Sequence, residues 1–252
     1  MISIKTPQEI IQLKESGKIL SSLLKKLAAQ AKEGTNLADL DSFAYTYIKE
    51  NGGQPAFLNY KPEGADHPYP ASICTSLNHT IVHGTPHNYK LRSGDVLKID
   101  AGVVYNGMYT DAAITVAIGS VSPKIKRLMQ STRKALDEAL SIIKPGKTLG
   151  DIGWVIQQRA SRDNVKVIKA LTGHGVGYEL HEDPVIFNYG NKGAGLVLRE
   201  GMVLAIEPMF SLSSEHIIQQ RDESYATADG STSAHYEHTV VVTKRGHLVV
   251  TL

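Results

Sequence analysis

Apolar residues fall at helical spacing in four stretches of the chain. Thr6-Pro7-Gln8-Glu9 combines a capping box with proline at the first helical position. Ile10, Leu13, Leu20, Leu24 and Leu27 then follow one helical face, and Gly34 can end that helix. The spacing predicts a second helix over 37–50, stopped by Asn51-Gly52-Gly53. Ser122-Pro123 opens a third, carrying Ile125, Leu128, Ala135, Leu136 and Ile143 and closed by Pro145-Gly146. A fourth passes through Trp154 and Ile156. Residues 96–104 and 108–118 read instead as strands flanking Asn106-Gly107, the strongest short hairpin signal.

The chain also repeats itself. Gly34, Leu37, Asp39 and Leu40 match Gly146, Leu149, Asp151 and Ile152. The stretch from Leu91 to Asp100 matches the stretch from Leu198 to Glu207 with six of ten positions identical. His83-Gly84-Thr85-Pro86 pairs with His181-Glu182-Asp183-Pro184, and Thr110-Asp111 pairs with Tyr236-Glu237. Four matches in the same order imply two halves of one domain, roughly 1–120 and 121–252, related by a pseudo-two-fold. Each half reads as helices followed by strands, which is an α+β architecture.

The hairpin brings two acids together. A two-residue turn pairs Tyr105 with Met108 and Gly102 with Asp111, so Asp100 and Asp111 become diagonal neighbours on one face, about 7 Å apart or less at Cβ. Buried bare in an apolar strand, such carboxylates would cost roughly several kcal/mol each. A divalent cation between them removes that cost; a solvated outer face or an ordinary ion pair is the other reading of the hairpin alone. The repeat adds Glu207, before Pro208, and Glu237, before an apolar strand. A pseudo-two-fold carries both pairs of acids to one axis, where four acids call for two cations. His174, in Gly173-His174-Gly175-Val176-Gly177, offers a fifth ligand; a core histidine or a flexible glycine loop is the alternative. His83 and His181 stand as non-ligands near the metals.

Bulk composition narrows the class. The 252 residues are enough for a core without staples. A net charge of +2 gives no warrant for nucleic-acid or membrane binding. The single cysteine, Cys74, permits no intramolecular disulfide, which fits a cytoplasmic location. The first residues show no apolar leader, and no apolar run approaches the roughly 20 residues a membrane helix needs.

Seven segments, read together, resemble a known family, the type I methionine aminopeptidases of the pita-bread (creatinase/aminopeptidase) fold. They are Ile81-Val82-His83-Gly84, Lys98-Ile99-Asp100-Ala101-Gly102, Tyr109-Thr110-Asp111, Thr172-Gly173-His174-Gly175-Val176-Gly177, Leu180-His181-Glu182-Asp183-Pro184, Ala205-Ile206-Glu207-Pro208-Met209 and Tyr236-Glu237-His238-Thr239. The resemblance implies a single catalytic domain over 1–252, a curved antiparallel sheet covered by helices. It implies that Asp100 binds one metal, that Asp111 and Glu237 bridge, and that His174 and Glu207 bind the other. Glu207 would also help take a proton from water, and His83 and His181 would face the substrate as catalytic histidines. Tyr69, Cys74, His83, Leu180 and Tyr225 would line the side-chain pocket. The implied reaction is removal of the initiator methionine from nascent chains by two divalent ions (Mn²⁺, Fe²⁺, Co²⁺ or Zn²⁺).

Three departures from the commoner family pattern fall on the pocket: Asp66 where an aromatic is usual, Tyr225 where tryptophan is usual, and a segment before Glu237 about two residues shorter. A proline-directed peptidase of the same fold, a type II enzyme and a non-catalytic binding module are the competing readings. The first usually carries an extra N-terminal domain, the second an insertion, and the third loses ligands; all five ligands are present here. A monomer is expected, without a basic zinc-binding extension, so a transient ribosome contact would use the catalytic-domain surface.

Overall fold

The computed structural model describes residues 2–62 and 64–252; Met1 and Glu63 lie outside the described residues. The first part of the chain forms helices α1 (Pro7–Gln30) and α2 (Leu37–Glu50) and strands β1 (Gln54–Pro55), β2 (Ile73–Leu77), β3 (Thr80–Val82), β4 (Val96–Tyr105) and β5 (Met108–Ala117). Helices α3 (Pro123–Ser141) and α4 (Leu149–Asp163) follow. The remaining strands are β6 (Lys166–Val167), β7 (Thr172–Gly175), β8 (Glu182–Phe187), β9 (Val203–Ile206), β10 (Met209–Ser211), β11 (Ile217–Gln219), β12 (Tyr225–Thr227), β13 (Ser233–His235), β14 (His238–Thr243) and β15 (Gly246–Val249).

The expected helices form where their caps place them. Thr6 and Glu9 exchange both bonds of the capping box at α1, and Ser122 caps α3 with Pro123 behind it. Two helices stop short of the glycines expected to end them: α1 ends at Gln30, before Gly34, and α3 at Ser141, before Pro145-Gly146. In each case the glycine instead lies in the turn that follows. The hairpin takes the expected register, with Tyr105 opposite Met108 and Gly102 opposite Asp111. Asn106 and Gly107 both have positive φ, as a two-residue primed turn requires.

All strand pairs are antiparallel. One sheet holds β1, β2, β4 and β5; a five-stranded sheet runs β15-β14-β9-β7-β8. Each has its own helical cover. Leu20, Leu27 and Leu40 pack with Ile99, Ala101 and Val103, while Leu136, Ile152 and Ile156 pack with Leu204, Ile206 and Val240. Between the sheets runs a seam of backbone and hydroxyl bonds. Glu237 N donates to Ala113 O at 2.9 Å, Tyr109 N to Gly177 O at 2.7 Å, and Asp111 N to Thr239 Oγ1 at 2.9 Å; Thr239 Oγ1 donates back to Asp111 O at 2.7 Å. Among the described residues, no helix is long and apolar enough to cross a membrane.

The C-terminal tail closes over α1. A Cβ at Gly17 would lie 2.1 Å from Val250 O, so only glycine lets the tail dock while Val250 N donates to Thr239 O at 3.0 Å. Gly17→Ala is therefore expected to lower the unfolding free energy by about 1–3 kcal/mol, measured as a reduced urea midpoint at unchanged slope.

Candidate metal centre

The seam delivers acids from both sheets to one place. Asp100 sits in the middle of β4 and Asp111 in β5, Glu207 follows β9 directly, and Glu237 immediately precedes β14. All four are buried. His174, in β7, points its Nε2 among them, 3.5 Å from Glu207 Oε1, 3.9 Å from Asp111 Oδ2 and 4.0 Å from Glu237 Oε1. Its Nδ1 lies 2.9 Å from Gly175 O. A carbonyl only accepts, so Nδ1 carries the proton and the Nε2 lone pair faces the acids. The glycines beside His174 are needed for close approach: a Cβ at Gly173 would be 2.4 Å from Ala205 O, and one at Gly175 2.1 Å from Asp183 O.

These carboxyl groups lack internal compensation. Asp100 Oδ1, Asp111 Oδ1 and Glu237 Oε1 are buried without a hydrogen-bond partner. Burial pushes the Asp100 and Glu207 carboxyls up to about 7. Asp111 and Glu237 are driven well above the usual carboxylate range, by burial first and then by the neighbouring acids. Orphaned buried oxygens around one imidazole fit a cation site by charge and by donor chemistry. One donor atom each from Asp111, His174 and Glu237 lies within 4.8 Å of the others, and the same holds for Glu207, His235 and Glu237. Asp100 belongs to neither of these groups but lies on β4 diagonal to Asp111 on β5.

The two other sequence-predicted histidines flank this cluster. The His181 ring lies 4.5 Å from that of His174, edge to face, and its Nδ1 is 2.8 Å from the Tyr60 hydroxyl. His83 follows β3 with a φ of 62° and turns its ring edge-on to Tyr225 at 5.9 Å. Burial, reinforced by neighbouring imidazoles, holds His83 down at about 4 and His181 at about 3, so both are neutral near pH 7.

One cavity of about 1310 Å³ is lined by Tyr69, Cys74, His83, Leu180 and Tyr225 and reaches Asp100, Asp111, His174, Glu207 and Glu237. Tyr69 is anchored through its hydroxyl to Ile73 O and Gly84 O. Burial pushes the Cys74 thiol well up, which suits a wall residue and not a nucleophile. Asp66 also lines the cavity, and its backbone N–H donates to Glu223 Oε1 at 3.0 Å. Three lining or neighbouring residues escaped the sequence reading. Phe57 and Tyr60 lie outside regular strands, where periodicity carries no signal. His235 had one: it stands two residues before Glu237, the spacing that puts both side chains on one face of an extended chain.

The sequence profile of metallopeptidase family M24 matches residues 11–244. The chain belongs to this family. It is 39% identical to a methionine aminopeptidase of Aquifex aeolicus over 256 residues, covering 99% of this chain and 98% of the relative. It is 37% identical to methionine aminopeptidase 1 of Bacillus subtilis, covering 100% and 99%. The crystal structure of methionine aminopeptidase from Rickettsia prowazekii superposes with a TM-score of 0.95 at 37% identity over 100% of both chains. Within the family the chain groups with the methionine aminopeptidases, and its α+β fold is the pita-bread fold the motifs implied. The prolidase of Pyrococcus furiosus, at 23% identity and a TM-score of 0.78 over 99% of this chain and 65% of that one, shares the fold.

The raised carboxyls have a thermodynamic consequence. With Asp100 and Glu207 titrating at about 7, protons occupy the site below that pH, and a cation must displace them. Mn²⁺ affinity is expected to fall as pH drops from 8 to 6, and calorimetry in buffers of different ionisation enthalpy should show proton release at pH 6. Constant affinity without proton release would mean the acids are already ionised.

Proposed function

We propose that this methionine aminopeptidase holds two divalent cations between Asp100, Asp111, His174, Glu207 and Glu237 and hydrolyses the peptide bond that follows an N-terminal methionine. The observation that carries the reading is the set of orphaned, buried carboxylate oxygens clustered with His174 in the wall of one large cavity. Asp100 would hold one cation, His174 with Glu207 would hold the other, and Asp111 and Glu237 would serve both. Bound there, the cations would supply Lewis acidity, making a water nucleophilic near neutral pH and polarising the scissile carbonyl. The oxygen-rich donor set with one imidazole suits Mn²⁺, Fe²⁺, Co²⁺ or Zn²⁺.

The protein's own groups divide the remaining work. Glu207 is assigned to help take the proton from the attacking water, with its basicity reduced by ligation. When the Tyr60 hydroxyl donates to Nδ1 of His181, the ring proton sits on Nε2, the tautomer that can donate to a developing oxyanion. His83, neutral at pH 7, would contact the nitrogen of the departing amine. Tyr69, Cys74, His83, Leu180 and Tyr225, joined by Phe57, form a pocket of apolar and aromatic walls suited to an unbranched thioether, which gains from sulfur–aromatic contact. We assign the chain as one catalytic domain with halves near 1–120 and 121–252. It would act as a cytoplasmic monomer on nascent peptides, through a transient ribosome contact.

After chelation and metal add-back, Met-Ala-Ser should lose methionine while an Ala-Pro peptide stays intact; release from Ala-Pro alone would favour a proline-directed enzyme. His181→Ala should lower kcat by about 10²–10³-fold with metal content unchanged. Full turnover in that variant would remove the assigned role.

A further inference from the structure

Glu207 stands between two imidazoles, only one of which has a role so far. His174 Nε2 faces its Oε1 at 3.5 Å; His235 Nε2 faces its Oε2 at 3.2 Å. His235 is 1% exposed, and neither ring nitrogen has a hydrogen-bond partner. Its main chain leaves the ring little freedom. Thr115 Oγ1 accepts from His235 N at 3.0 Å and donates to His235 O at 2.6 Å, while β13 pairs His235 with Met209. The side chain is thus aimed into the acid cluster from a fixed backbone. Glu237, two residues on, points a carboxylate to the same place.

A buried imidazole with both nitrogens unsatisfied is costly. Glu207 Oε2 lies at hydrogen-bonding distance but off the N–H axis. The terminal torsion of a glutamate is soft, so a modest rotation of the carboxylate aligns the pair. We propose that His235 is a positioning residue of the metal centre: its Nε2–H holds Oε2 of Glu207 and reserves Oε1 for the cation shared with His174. Glu207 has two tasks, as ligand and as proton acceptor, and a donor fixed on one oxygen decides which atom does which. Ligating carboxylates commonly need such an outer partner to hold their orientation. The assignment rests on the two-cation reading of the site.

Two measurements test it. Mn²⁺ titration calorimetry compares the wild type with His235→Leu, which has no donor, and His235→Gln, whose amide N–H can take the place of Nε2–H. His235→Leu should bind the His174-side cation about 10–100-fold more weakly, and His235→Gln should recover most of that loss. Wild-type affinity in His235→Leu, or equal weakness in both variants, overturns the assignment. The second measurement needs no variant and so survives a failure of His235→Leu to fold. In zinc-loaded wild-type protein labelled with ¹⁵N-histidine, Nε2 of His235 should give the signal of a protonated nitrogen coupled to its hydrogen. A metal-bound nitrogen signal would make His235 a ligand, and an unprotonated Nε2 would leave Glu207 without its donor; either overturns the proposal. If the wild type binds neither Mn²⁺ nor Zn²⁺ tightly, the two-cation reading itself fails and the role of His235 falls with it.

Discussion

Four carboxyl groups are buried within reach of one another, and their repulsion is the constraint around which the molecule is arranged. Without a cation the cluster is tolerable only by holding protons: burial pushes the Asp100 and Glu207 carboxyls up to about 7 and drives those of Asp111 and Glu237 well above the usual carboxylate range. An apolar replacement of the cluster would stabilise such an interior. Keeping the acids there gives up stability for chemistry, and the family to which the chain belongs is one of metallopeptidases.

Holding the acids in place requires a rigid frame on both sides. The two helix-covered cores supply it, and the seam ties them together at Asp111, Ala113, Glu237 and Thr239. Thr239 donates to and accepts from the Asp111 backbone, so an acid of one sheet is fixed by the strand that follows an acid of the other. The glycines flanking His174 serve the same end, since side chains there would push β7 away from Ala205 and Asp183. Displacing any one of these contacts moves an acid or the imidazole out of the cluster.

The cavity opens onto this chemistry. Its walls are aromatic and apolar near Tyr69, Leu180 and Tyr225, and its floor is the acid cluster. Neutral His83 and His181 line the same cavity. Asp66 also lines the cavity, and its backbone N–H donates to Glu223 Oε1.

Much of this was legible in the residues. The caps at Thr6 and Ser122, the helical stripes and the Asn106-Gly107 turn depend on neighbours a few positions apart, and they formed as read. The hairpin register followed from the turn alone, and with it the approach of Asp100 to Asp111. Long-range placement was another matter. That His181 would be held by Tyr60, 121 residues away, or that Thr115 would clamp His235, 120 residues away, depends on how the sheets dock. No local pattern encodes such contacts, because they arise from shape and burial across the seam and not from spacing along the chain. By itself the sequence determined which acids would be brought together; only the tertiary structure decided which neutral side chains hold those acids and in what orientation.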